Sequence, residues 1–169
     1  KQTLTSSSFS PAKFFISVKA VFDFRASKNL LSGRPFCKYN FPFSNVINSG
    51  KHAGNNLSFQ EFLIAPVKAK SFSEATQMVV EIYHQLKSDI EKKYGKQFTN
   101  VGDEGGFAPN LNNEIEALEL IQKAIDASGY NKKVFMALDA AASEFHNPNK
   151  NKYFLGKFEL DRYGLIDHY

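Results

Sequence analysis

The chain has 169 residues, enough for one ordinary domain with a real core. No apolar run approaches the roughly 20 residues needed to span a bilayer, which argues against a membrane protein. The single cysteine, Cys37, cannot close an internal disulfide, so a reducing compartment such as the cytoplasm is expected. The net charge of +4 is concentrated at the head of the chain, where residues 1–40 carry seven Lys or Arg against one acid, Asp23. That placement is a poor basis for a nucleic-acid partner of the folded part.

The head is basic, rich in Ser and Phe, and almost free of acids. Its composition fits either a transit peptide or an unrelated flank, and residues 1–40 are expected to pack poorly. The texture changes from Phe41 onward. Asn45-Val46-Ile47-Asn48, closed by Ser49-Gly50, reads as a strand ending in a loop. Residues 60–67 read as a second strand with Pro66 near its end. A helix follows, with Ser71 and Glu74 as a reciprocal capping box. Its buried stripe is Ala75, Met78, Val79, Ile82, Leu86 and Ile90, with Gly95 as a left-handed terminator. A second helix starts near Asn113, with Glu116 as box partner. Its stripe is Ile115, Leu118, Ile121 and Ile125, and Ser128-Gly129 stops it. Residues 134–138 are continuously apolar, as in a strand covered on both faces, and Asp139 stands at its end.

Several residues could carry chemistry. Gly102-Asp103-Glu104-Gly105-Gly106 sets two acids in a glycine-rich loop, either an acidic surface turn or a carboxylate aimed at a ligand. Asp139 lies beside much apolar surface and needs a partner. A hard cation such as Mg2+ would serve, and so would the first amides of a helix capped by Asp139. His52, between Gly50 and Gly54, reads as an exposed loop histidine or as a donor to an anionic substrate. Glu61 in Gln60-Glu61-Phe62 is a weaker signal, because charged residues often begin strands. His84 lies at the boundary of the first helix's apolar stripe, while His146 and His168 sit in polar surroundings.

Taken as ordered strings, these segments resemble enolase. The strings are Asn45–Asn48 with His52-Ala53-Gly54-Asn55, Gln60-Glu61-Phe62, the nine residues from Gly102 to Asn110, and Asp139-Ala140-Ala141-Ala142-Ser143-Glu144-Phe145. The resemblance covers about residues 41–160. Ser49 and Ala140 depart from it, standing where the family usually has glycine and valine. It implies an α/β fold: a fragment of an enolase-type (β/α)8 barrel in strand-strand-helix-helix-strand order, over residues 41–169. The implied reaction is the Mg2+-dependent dehydration of 2-phosphoglycerate to phosphoenolpyruvate in glycolysis. Glu104 matches the general acid, Asp139 a carboxylate holding Mg2+, His52 and Glu61 substrate contacts, and Gln60 their supporting neighbour. A homodimer is expected for a complete family member.

No segment matches the base lysine, the two further metal carboxylates, the phosphate-binding residues or the N-terminal capping domain. The isolated chain is therefore expected to be inactive. The alternative to an enzyme is a truncated, non-catalytic enolase-like protein that acts, if at all, by binding.

Overall fold

The computed structural model describes residues 41–50 and 57–169, together with the backbone of Ile16–Ser17. The elements in chain order are β1 (Ile16–Ser17), β2 (Ser44–Asn48), β3 (Glu61–Ala65), α1 (Phe72–Tyr94), α2 (Glu114–Ala127), β4 (Phe135–Asp139), β5 (His146–Asn147), β6 (Lys152–Leu155), β7 (Phe158–Leu160) and α3 (Arg162–His168). From β2 to β4 the order is the strand-strand-helix-helix-strand that the sequence implies. The four strands β1 to β4 form one sheet in the order β1-β4-β3-β2. β2 and β4 each run antiparallel to β3, and β1 is parallel to β4. A second, three-stranded antiparallel sheet, β5-β6-β7, follows. Among the described residues the sheets are small and open, and no barrel closes.

The two helices cover one face of the larger sheet. Phe62, Ile64 and Met136 join Met78, Ile82, Leu86 and Ile90 of α1 and Leu118, Ile121 and Ile125 of α2 in a single buried cluster. Strand side chains alternate between faces. Leu63 and Ala137 therefore turn to the other face, where they form a separate small cluster with Phe43. Both faces of β3 and β4 thus carry buried side chains, as the continuously apolar run before Asp139 implies.

The helix limits follow from their caps, with three corrections to the sequence reading. The Glu74 N–H donates to Ser71 Oγ (3.1 Å), but the Glu74 carboxylate accepts from the N–H of Lys70 (2.6 Å), one residue earlier than a reciprocal box requires. The same offset recurs in α2, where the Glu116 N–H donates to Asn113 Oδ1 (2.9 Å) and its carboxylate accepts from the N–H of Asn112 (2.9 Å). Gly95 has a positive φ of 104°, but its ψ of 159° lies outside the left-handed helical region, so it ends α1 as an extended corner that suits glycine. Ile115 is 62% exposed. The stripe of α2 runs instead through Ala117, Leu118, Leu120, Ile121, Ala124 and Ile125. Ile115 falls in the first turn, on the side facing away from the sheet. At the other end, the N–H of Tyr130 donates to the Ile125 carbonyl (3.1 Å) across Gly129, whose φ is +76°. This is the glycine stop the sequence implies.

Glu116 also joins the helices. It accepts from Lys93 Nζ (3.0 Å) and from the Tyr94 hydroxyl (2.6 Å) of α1. The Asn112 backbone N–H, then the Tyr94 hydroxyl and Lys93, pull its carboxyl down to about 2.

The fold rests on the α1–sheet contact rather than on exposed apolar residues. Ile82 is fully buried at the centre of that contact. Ile82→Ala is expected to cost about 2–5 kcal/mol in urea unfolding, through lost burial and the cavity left behind. Ile115→Ala is expected to change stability by no more than about 0.5 kcal/mol. Equal losses from the two would show that the core is drawn wrongly.

Candidate active site

One row of side chains crosses three strands. The register sets Asn48 of β2 opposite Glu61 of β3, and Glu61 opposite Asp139 of β4. Directly opposite residues share a face. Asn48, Glu61 and Asp139 therefore lie side by side at one end of the sheet, on the face away from α1 and α2.

A bulge brings Asn45 to the same place. Ser44 and Asn45 pair with Ile64 and Leu63, whereas Ile47 and Asn48 pair with Phe62 and Glu61, which leaves Val46 as an extra residue. In a regular strand, residues three apart point to opposite faces. The extra residue reverses that parity, and Asn45 Nδ2 donates to Asn48 Oδ1 at 2.6 Å.

The glycine-rich loop docks along the outer edge of β2. Phe107 forms a parallel bridge with Ile47. The Asn48 N–H donates to the Phe107 carbonyl (2.8 Å), and the Phe107 N–H donates to the Val46 carbonyl (2.9 Å). Two further bonds close the loop on itself, Gly102 N–H to Gly106 O (2.8 Å) and Gly105 N–H to Gly102 O (3.0 Å). The Gly106 N–H donates to Asn48 Oδ1 (3.1 Å). A Cβ at Gly106 would overlap Asn48 Oδ1, and one at Gly102 would stand 2.6 Å from Asn48 Nδ2. Glycine at these two positions is what lets the loop lie against Asn48.

The docked loop carries Glu104 to the row. Asn45 Nδ2 donates to Glu104 Oε2 (3.3 Å), and the Glu104 carboxyl is hydrogen-bonded to that of Glu61. Glu61 is pushed up to about 7, first by burial, then by the Glu104 hydrogen bond and by the negative charges of Glu104 and Asp139. Glu61 therefore keeps its own proton close to neutral pH, with an acidic neighbour on either side.

Asp139 is held by its own turn. Its Oδ1 accepts from the Ala141 N–H (3.0 Å), and Ala141 has a φ of 46°, unusual for a residue with a side chain. No helix follows Asp139, so the helix-cap alternative is not what its carboxylate serves. Gln60 ties the site together through its backbone: its N–H donates to the Asp139 carbonyl (3.0 Å), and its carbonyl accepts from the Ser49 N–H (2.9 Å). Ser49 is buried, and its hydroxyl donates to the Phe59 carbonyl.

Glu61, Glu104 and Asp139, far apart in sequence, thus converge. His52 lies outside the described residues. Asn45, Asn48 and Tyr83, whose hydroxyl donates to the Gly105 carbonyl (2.7 Å), are site residues that the sequence reading did not single out. The available signal was a pair of asparagines in a short strand, where asparagine is disfavoured.

A family model for the enolase C-terminal TIM barrel domain matches residues 38–162. The chain belongs to the enolase family. Family membership makes Mg2+ the cofactor to test against these residues. Asp139 offers the oxygen ligand that Mg2+ prefers. Among the described residues, however, no group of three His, Cys, Asp or Glu side chains could hold a metal ion. The fit among the described residues is therefore partial: Asp139 offers one oxygen donor and no group of three side chains completes a site. No helix among the described residues is long and apolar enough to cross a membrane.

The charge state of Glu61 makes a signed prediction. In the unfolded chain Glu61 ionises near its ordinary value of 4.5, whereas in the fold it keeps its proton up to about 7. Folding thus favours the protonated form. The associated stability is present below pH 4.5 and is lost as pH rises through 7. Glu61→Gln removes the titration and can still donate to Glu104. Thermal melts should show the variant more stable than the parent at pH 8 and little different at pH 4. An equal difference at both pH values would refute the assignment.

Proposed function

We propose that these residues serve the dehydration of 2-phosphoglycerate to phosphoenolpyruvate, with Glu104 as the general acid. The observation that carries the reading is the Glu61–Glu104 pair: Glu61 keeps a proton near neutral pH, and Glu104 stands beside it on a loop fixed to the sheet, in a chain of the enolase family.

The reaction breaks the C2–H and C3–O bonds and forms the C2–C3 double bond. Hydroxide is a poor leaving group, so a positioned acid must give it a proton and release it as water. Glu104 is assigned that step. Glu61, pushed up to about 7 by burial and its acidic neighbours, stands beside Glu104 as the group that can pass it a proton. Asn45 holds one oxygen of Glu104, which limits its swing. Asp139 is assigned to Mg2+, which when bound would supply positive charge at the substrate carboxylate and so acidify the C2 proton. His52 and Gln60 keep their proposed places as a substrate contact and its supporting neighbour. No residue of these 169 is matched to the base that removes the C2 proton.

The test follows from that division of labour. The chain is purified from a host without its own enolase and combined with a barrel segment that supplies the lysine and the remaining metal carboxylates. Phosphoenolpyruvate is followed by absorbance with excess Mg2+. Turnover is expected only in the combination, and Glu104→Gln is expected to lower it by about 10²–10⁴-fold. Turnover of about one per second or more by the chain alone would show that it holds an unrecognised base. Turnover in the combination that survives Glu104→Gln would overturn the assignment of the acid.

A further inference from the structure

The residues that fix the glycine-rich loop come mostly from β2, but one comes from α1. Tyr83 follows the fully buried Ile82 and turns toward the loop. Its ring stacks on Phe107, with centroids 4.3 Å apart and planes 25° from parallel. Its hydroxyl donates to the Gly105 carbonyl at 2.7 Å.

The Gly105 carbonyl and the Gly106 N–H belong to one planar peptide unit and point in opposite directions. Tyr83 of the helix holds the first, and Asn48 of the sheet holds the second at 3.1 Å. One peptide plane is thereby clamped from both sides, immediately after Glu104. Gly105 has a φ of +81°, and no atom of the described residues lies within 4 Å of where its Cβ would stand.

We infer that Tyr83 is a positioning residue, whose hydroxyl fixes the Gly105–Gly106 peptide and so aims the Glu104 carboxyl at Glu61. The inference rests on the reading of Glu104 as the acid and adds the device that holds it in place. A carbonyl can only accept, so the hydroxyl must be the donor, and burial, which pushes the Tyr83 hydroxyl above its ordinary range, keeps its proton in place.

Tyr83→Phe deletes the donor and keeps the ring that stacks on Phe107. Nuclear magnetic resonance on the full chain reads the consequence without any turnover. The Gly106 amide is expected to exchange about tenfold faster. The side-chain amide signal of Asn45, which donates to Glu104, is expected to shift. The amides of Leu86 and Ile90 should be unaffected. In the combined assay, kcat should fall severalfold with KM unchanged. Unaltered Gly106 exchange and an unmoved Asn45 signal would overturn the inference, as would faster exchange spread evenly over α1 and the sheet. If the unmodified combination fails to turn over, the proposed reaction falls, while the resonance experiment still decides what Tyr83 does.

Discussion

The pairing of β3 with β4, in the register that sets Glu61 against Asp139, is the constraint from which the site follows. Two carboxylates on adjacent strands repel each other, and neither gains from being half-buried. They are held together because the residues behind them in the same strands, Phe62, Ile64 and Met136, pack under α1 and α2. A one-residue slip would turn those side chains out of the core, so the hydrophobic pattern fixes the register. The acidic row is a consequence of that fixing.

Glu104 is added to the row by a different device. Its loop has little apolar surface of its own, and Phe107 is deeply buried at its end. It is fixed by backbone bonds to β2, by the close fit of two glycines against Asn48, and by the Tyr83 hydroxyl. Polar contacts of this kind are individually modest, but they are directional. They fix an orientation rather than contributing most of the stability. The proton that Glu61 keeps up to about pH 7 then offsets the cost of crowding three acids at one end of a sheet.

The larger sheet has a helix-covered face and a face that carries the acids. This division matches what a barrel strand needs, with one side toward the helices and the other toward the site. Among the described residues the sheet nevertheless stays open, with β2 at one edge and the two-residue β1 at the other. The glycine-rich loop partly covers the β2 edge through its bonds to Val46 and Asn48.

The sequence by itself determined the elements from β2 to β4, their order, and the family to which they belong. Helical and strand periodicities are local, and the nine residues from Gly102 to Asn110 are specific as a string. It also singled out Glu61, Glu104 and Asp139, although each alone had a bland alternative as a strand start, a surface turn or a helix cap. Only the tertiary structure decided that the three meet, because their contact depends on strand register and loop docking over long separations. It alone placed Asn45 beside Asn48, since a bulge at Val46 reverses a parity that spacing in a regular strand would forbid. It alone exposed Ile115, because helical spacing gives a stripe but not the angle at which the helix meets the sheet. Tyr83 was hidden for the same reason: a tyrosine beside an apolar stripe reads as packing until the carbonyl it reaches is known.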